Sequence, residues 1–340
     1  MKLLVLGGTV FLGRHMVSAA LSNGHNVTLF NRGRDNPDLF PEAERLRGDR
    51  DNDLDALKGK RWDAVIDTCG YVPRHVRDSA QLLSQSVDHY TFISTLGVYS
   101  DYTKRGIDET AEVGTFEDET IEEVNEQTYG PLKALCEREV QRAMPARALV
   151  VRAGLIVGSY DPLDRFTYWV RRVARGGEML APGTFDRRIQ IIDVRDLSEW
   201  IIRIVESRAT GVYNATGPDY PLSMGRLLEE SKSVTGSDAT FVWVSDSFLI
   251  ENKVGSWNEV PLWLPEDVKY AGFMYFDCSK AVGAGLSYRP LSETIRDTLE
   301  WDTSRSEPIA PYKMMGIELP PTGIKPERES ELLEAFKRRG

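Results

Sequence analysis

Tyr129 and Lys133 stand four residues apart, which puts both on one face of any helix that includes them. An ammonium beside a phenol favours the phenolate and brings its pKa down from about 10, so such a pair can act as general acid and base. Pro131 fits a first helical turn, so Tyr129 falls at the very end of that helix. A second chemistry is offered by Gly7-Gly8-Thr9-Val10-Phe11-Leu12-Gly13, which joins an apolar run to an amphipathic stretch. Free backbone N–H groups and the positive end of a helix dipole there suit a dinucleotide pyrophosphate. Small residues at 7 and 8 allow a tight turn and close approach, Gly13 lets the helix pack on the strand, and Val10 breaks the strict G-x-G-x-x-G pattern. Gly7, Thr9, Phe11, Leu12 and Gly13 are the candidate contacts.

The end of the next strand decides the ribose half, because an acid there accepts a 2′-hydroxyl and a basic side chain accommodates a 2′-phosphate. Asn31, Arg32 and Arg34 occupy it, so NADP is favoured over NAD.

These groups need a scaffold. Residues 3–6 form a continuous apolar run, the mark of a strand buried on both faces of a parallel sheet. A helix follows with Phe11, Val17, Ala20 and Leu21 on one face and Gly24 at its C-terminal cap, then a strand over 26–30. The alternation continues with strands at 64–67, 90–94 and 148–152 and helices near 76–83 and 132–144. The fold expected is α/β: a Rossmann-like doubly wound parallel sheet with a smaller mixed α/β substrate-binding lobe. After Arg152 the alternation loosens around Gly158, Pro162, Gly176, Gly177, Pro182 and Gly183, which reads as loops and short elements. Beyond it the pattern predicts strands at 189–192, 212–215 and 240–244, and helices at 197–205, 223–234 and 291–301. The nucleotide-binding domain is thus expected over 1–155 plus about 189–215, and the substrate lobe over 156–188 and 216–301. A C-terminal extension over 302–340 would hold a proline-bearing stretch and a charged amphipathic helix at 327–339.

A chain of 340 residues allows about two domains at roughly 150 each. Its 41% hydrophobic and 28% charged content is that of a globular protein, not a disordered or coiled-coil one. Fifty-two acids against 42 bases give a net charge of -10, which repels polyanions, so no nucleic-acid partner is expected. Cys69, Cys136 and Cys278 are far apart and only four histidines accompany them, so neither a metal site nor a disulfide framework is expected, and a reducing cytoplasm suits the count. No stretch approaches the roughly 20 apolar residues a membrane helix requires.

Further pieces fall in order: Phe92-Ile93-Ser94-Thr95 with Val98-Tyr99, then residues 152–158, residues 192–197 and residues 277–281. With the glycine loop and the Tyr129/Lys133 pair, they make the chain resemble an extended short-chain dehydrogenase/reductase of the NAD-dependent epimerase/dehydratase group, over about residues 1–301. By that resemblance Thr95 would hydrogen-bond the substrate oxygen, and Tyr129 would give or take its proton. Lys133 would bind the nicotinamide ribose and lower the tyrosine pKa. Asp49 and Arg50 would lie near the adenine, and Gly70 beneath the cofactor. The resemblance also implies a homodimer packed through the helix that carries Tyr129 and Lys133.

Departures narrow the chemistry. Leu96 and Gly97 follow Thr95 where the family's sugar-nucleotide dehydratases have Asp-Glu, so a dehydratase is not expected. Leu155 and Ile189 stand where sugar-nucleotide epimerases often carry an asparagine and an arginine for the diphosphate, with Arg187 and Arg188 next door. Asp108, Glu109 and the acidic run 117–126 are expected to face water. Tyr160, Phe166, Tyr168 and Trp169 fit either a pocket lining or a core. The activity expected is an NAD(P)-dependent oxidoreductase acting on a small-molecule secondary alcohol or ketone. Oxidation followed by reduction on the other face would make the same site an epimerase of a sugar or sugar nucleotide. A different class also stays open: RNA binding or cofactor sensing on the same fold, as in plastid relatives with a similar Gly-Gly-Thr-x-Phe start.

Overall fold

The first apolar run becomes β1 (Lys2–Leu6), in which Leu3, Leu4, Val5 and Leu6 are wholly buried. Leu3 and Val5 enter one core and Leu4 and Leu6 the other, as the two-residue period of a strand requires. Each such side chain contributes about 1.5–3 kcal/mol of burial. This computed structural model describes residues 1–305, 313–314, 317–318 and 321–339.

Around β1 stand β2 (Asn26–Asn31), β3 (Glu44–Arg47), β4 (Trp62–Asp67), β5 (Val87–Thr95) and β6 (Ala148–Ala153). With the strand Gly211–Ala215 they form a seven-stranded sheet in the order Gly211–Ala215, β6, β5, β4, β1, β2, β3, every pair parallel. In register, Leu6 lies beside Phe30 and Asp67, and Thr95 lies beside Ala153. The segments that follow β1, β2, β4 and β5 therefore leave the sheet at one edge, where ligands of such folds collect.

Helices α1 (Phe11–Ser22) and α5 (Val194–Glu206) cover the Leu3 face, and α2 (Pro73–Leu83) and α3 (Tyr129–Ala143) cover the Leu4 face. This is the doubly wound parallel sheet expected. A second core gathers around Trp169, Phe248 and Trp263. It is built by α4 (Arg165–Ala174), α6 (Met224–Thr235), the helix Leu291–Ser304 and the parallel strands Glu178–Pro182 and Thr240–Val244. The helix Pro326–Lys337 joins it through Leu332 and Leu333, with Glu329 in a buried ion pair to Arg172 at 2.7 Å. In the proline-bearing stretch before it, residues 306–312, 315–316 and 319–320 lie outside the described residues, as does residue 340.

Several elements differ from the sequence pattern, the helix Asp246–Glu251 among them, and three have a clear physical reason. β3 has no apolar alternation because it is an edge strand, exposed except for a half-buried Leu46. α4 lies in the segment read as loops. Its Phe166, Trp169, Val170 and Val173 recur at helical spacing and are buried, but the glycines and prolines around them mask the period. The single strand expected over 189–192 is two short pieces: Arg188–Ile189 pairs with Leu222–Ser223, and Ile192–Asp193 pairs with Ile156–Val157. Of the four aromatics, Phe166, Tyr168 and Trp169 belong to the core, whereas Tyr160 is 39% exposed.

Candidate active site

The turn after β1 takes left-handed backbone at Gly7 (φ 100°) and Gly8 (φ 93°). A Cβ on Gly13 would lie 2.9 Å from the Cα of Gly8, so the first turn of α1 rests directly on the loop. No side chain caps α1 at Val10, which leaves its first N–H groups open to an anion. Leu12 is buried, so it can offer only its N–H, and Phe11 packs edge-on to His15. Thr9 is buried and its carbonyl accepts a hydrogen bond from Asn36. This cradle, whose spaces a Cβ would fill, fits a dinucleotide pyrophosphate.

At the end of β2 the Asn31 amide donates to the Gly7 carbonyl at 2.9 Å and accepts the Gly33 N–H at 2.9 Å. Asn31 thus holds the loop itself. Beside it a recess is lined by Thr9, Asn31, Gly33, Pro37, Arg45 and Arg47, and Arg32 is exposed next to it. Asp49 pairs with Asp53 across a tight turn and accepts the Asp51 N–H.

The Arg50 side chain is committed to other protein groups. It is buried beneath the sheet edge, where its guanidinium forks onto Asp67 at 2.6 and 2.8 Å and donates to Ser79 at 2.7 Å. Asp67 is fully buried and also accepts the Tyr90 hydroxyl. Only the Arg50 backbone is left for a cofactor contact.

At the end of β5, Thr95 Oγ1 accepts the Gly97 N–H at 3.0 Å, and a Cβ on Gly97 would lie 3.3 Å from Thr95 Oγ1 and 3.7 Å from Tyr129 Cε1, so the two side chains converge there. Tyr129 begins α3, and Gly130 lets that helix press onto the turn after Thr95: a Cβ at 130 would sit 2.1 Å from the Gly97 carbonyl oxygen. Lys133 is buried and donates to the carbonyls of Gly70 at 2.6 Å and Ile93 at 2.7 Å. Burial lowers its pKa.

Thr95 and Tyr129 thus meet, and Lys133 lies one turn below them. The electrostatics differ from the sequence expectation, however. Burial raises the Tyr129 pKa, and the groups pulling it back are the Thr95 hydroxyl and the Arg165 guanidinium. Lys133 is drawn instead onto two main-chain carbonyls, over the Phe92 ring and beside that of Tyr71. Tyr71, whose ring centroid is 6.4 Å from that of Tyr129, is a neighbour the sequence did not flag; its one signal was its place after Gly70.

Asp161 and Arg165, just before and at the start of α4, were also missed. Asp161 is 3% exposed, and burial pushes its carboxyl up to about 7, with Asp164 adding to the rise and Arg165 and Arg305 opposing it. An exposed aspartate titrates near 3.9. The folded chain therefore keeps a proton that the unfolded chain has lost, and this group's contribution to stability is complete below about pH 4 and fades as pH rises to about 7. At ~1.4 kcal/mol per tenfold change in proton binding, the gap comes to about 4 kcal/mol. Asp161→Asn should accordingly flatten the fall in unfolding midpoint between pH 4 and 7. Parallel curves for the two proteins would show that Asp161 does not titrate as placed.

The acidic stretch faces water for the most part, with Glu119 paired to Arg138 and Glu122 to Arg74. Those pairs line a surface groove on the outer side of α2 and α3 that does not include Thr95 or Tyr129. No cluster of metal-ligating side chains occurs among the described residues.

Residues 3–216 match the family described as the NAD dependent epimerase/dehydratase family. The chloroplast stem-loop binding protein of 41 kDa b of Arabidopsis thaliana is 23% identical over 240 residues, which are 64% of this chain and 59% of that protein. The match therefore spans less than two thirds of the relative. The UDP-glucuronic acid 4-epimerase of Bacillus cereus, solved in complex with NAD, superposes with a TM-score of 0.65 at 16% identity, covering 89% of this chain and 99% of that one. The UDP-glucose 4-epimerase of Thermotoga maritima, solved with UDP-glucose, gives 0.65 at 18% identity over 89% and 99%. At these identities the two structures establish the fold.

Proposed function

The chain belongs to the NAD-dependent epimerase/dehydratase family and is a nicotinamide-dependent enzyme, and from that premise we propose that it is an oxidoreductase acting on a secondary alcohol or ketone. The observation that carries this reading is the convergence of Thr95 and Tyr129 on Gly97 at the carboxyl end of β5, where a Cβ would sit 3.3 Å from Thr95 Oγ1 and 3.7 Å from Tyr129 Cε1. When bound, the nicotinamide supplies the carbon that accepts and returns hydride. Tyr129 gives its hydroxyl proton to a ketone oxygen, or takes the proton of an alcohol, and Thr95 holds the same oxygen. Lys133 has three N–H donors, of which two are committed to Gly70 and Ile93, so one remains for a ribose hydroxyl.

NADP is the cofactor favoured. Asn31 is committed to the glycine loop, and the neighbouring charged side chains, Arg32, Arg45 and Arg47, suit a 2′-phosphate. Isothermal calorimetry should find NADP bound about tenfold or more tighter than NAD, and Arg32→Ala should erase most of that margin with NAD affinity unchanged. A wild-type preference for NAD overturns this assignment.

The same groups serve an epimerase if the substrate turns between oxidation and reduction. A sugar nucleotide is supported by Arg188. Ile189 is buried in the core and Arg187 is bound to Asp246 and the Leu264 carbonyl, while Arg188 keeps an unpartnered Nε beside Tyr275. The plastid relative's name favours a second reading, stem-loop binding on this fold; salt-sensitive RNA binding that survives loss of Tyr129 would mark it. A homodimer through α3 would have to use a face that carries Arg138 and Arg142. Three free cysteines suit the cytoplasm, and no helix among the described residues is long and apolar enough to cross a membrane.

A further inference from the structure

Four arginines lie on or at the end of α4, and three have partners. Arg171 pairs with Asp302 at 2.5 Å, Arg172 with Glu329 at 2.7 Å and Arg175 with Glu329 at 3.2 Å. Arg165 has no ion pair or hydrogen bond among the described residues, and its Nε is buried without a partner. Its guanidinium lies 5.3 Å from the centre of the Trp257 ring.

The groups that bear on its charge are Asp161, Tyr129 and Glu126. None forms an ion pair with it: Asp161 keeps its proton up to about 7, Tyr129 is an un-ionised phenol, and Glu126 is exposed. A guanidinium taken out of water without a counter-ion is unfavourable, and burial accordingly lowers the Arg165 pKa. The cation also acts through its charge on the Tyr129 phenol, favouring the ionised form. Trp257 continues through Phe273, at 5.5 Å between rings, to Tyr102, at 5.3 Å, whose hydroxyl donates to the Leu96 carbonyl next to Thr95. Arg165 is thus the unpaired charge in a wall of aromatic side chains that leads back to the reacting hydroxyls.

We propose that Arg165 receives an anionic group of the substrate, a carboxylate or a phosphate, carried near the carbon whose oxygen Thr95 and Tyr129 hold. The inference rests on the oxidoreductase reading and adds to it the charge of the substrate. The Arg165 guanidinium lies over the Trp257 ring, and a guanidinium can fork onto two oxygens of a carboxylate or phosphate.

The test is saturation-transfer NMR on NADP-loaded protein with glucose, glucuronate and glucose 6-phosphate as probes, in wild type, Arg165→Met and Arg165→Lys. Wild type should bind at least one charged probe about tenfold or more tighter than glucose, and which one separates carboxylate from phosphate. Arg165→Met should bring that probe to within about twofold of glucose, Arg165→Lys should retain part of the preference, and both should bind NADP as wild type does. A wild type that binds the charged probes no better than glucose, or not at all, overturns the proposal, as does a preference that survives in Arg165→Met. Failure of wild type to bind NADP or NAD strikes the oxidoreductase reading instead.

Discussion

A Tyr129→Phe protein should keep its fold and its affinity for the nicotinamide cofactor while turning over about 10²–10⁴ times more slowly. The substitution removes one oxygen. The ring keeps its place beside Tyr71 and against Gly97, and the local loss is no more than one polar contact of the hydroxyl, about 1 kcal/mol. Burial raises the phenol pKa, so in wild type the oxidation of an alcohol should accelerate with rising pH as more phenolate forms, and reduction of a ketone should show the opposite trend. Both trends should vanish with the hydroxyl. Cofactor absorbance followed with a substrate that wild type accepts, together with calorimetry of the variant, checks both halves. Equal rates in the two proteins would remove Tyr129 from the chemistry and with it the reading of the site.

The second large effect lies beneath the site. Arg50→Met strands the Asp67 carboxylate, fully buried, with only the Tyr90 hydroxyl and the Cys69 N–H facing it. Breaking a buried pair from one side costs about 3–5 kcal/mol, because the remaining charge has neither water nor a paired cation. The guanidinium donates to four groups here, which places the cost toward the upper end. Denaturant midpoints should show this loss in Arg50→Met and partial recovery when Asp67→Asn is added, since the second change removes the stranded charge. An Arg50→Met protein as stable as wild type would show that the pair contributes nothing. Asp67 ends β4 and Gly70 follows it, so the variant should also loosen the carbonyl that holds Lys133.

The parts of the fold legible in the sequence are those where local pattern and tertiary fate coincide. Residues 3–6 read as a doubly buried strand because they are one, and the glycine loop reads as a cradle because its backbone angles admit little else. The Tyr129/Lys133 spacing located the helix and its face. It did not reveal which cation acts on the phenol, since that depends on α4, a helix whose period is hidden among glycines and prolines and which begins 36 residues downstream of Tyr129. Arg50 shows the same limit from the other side. Its place after Asp49 matched a surface contact, but the acid that captures it lies 17 residues on, and nothing in the local pattern marks Asp67 as its partner. β3 was silent because an edge strand with charged side chains needs no apolar alternation.

The contact between Gly130 and the Gly97 carbonyl has a consequence for how such a site can diverge. The spacing of Thr95 and Tyr129 is gauged by main chain meeting main chain, a ruler that no exchange of surrounding side chains recalibrates. Replacing Trp257 or Arg165 on the far wall therefore leaves the seating of Tyr129 against Thr95 untouched.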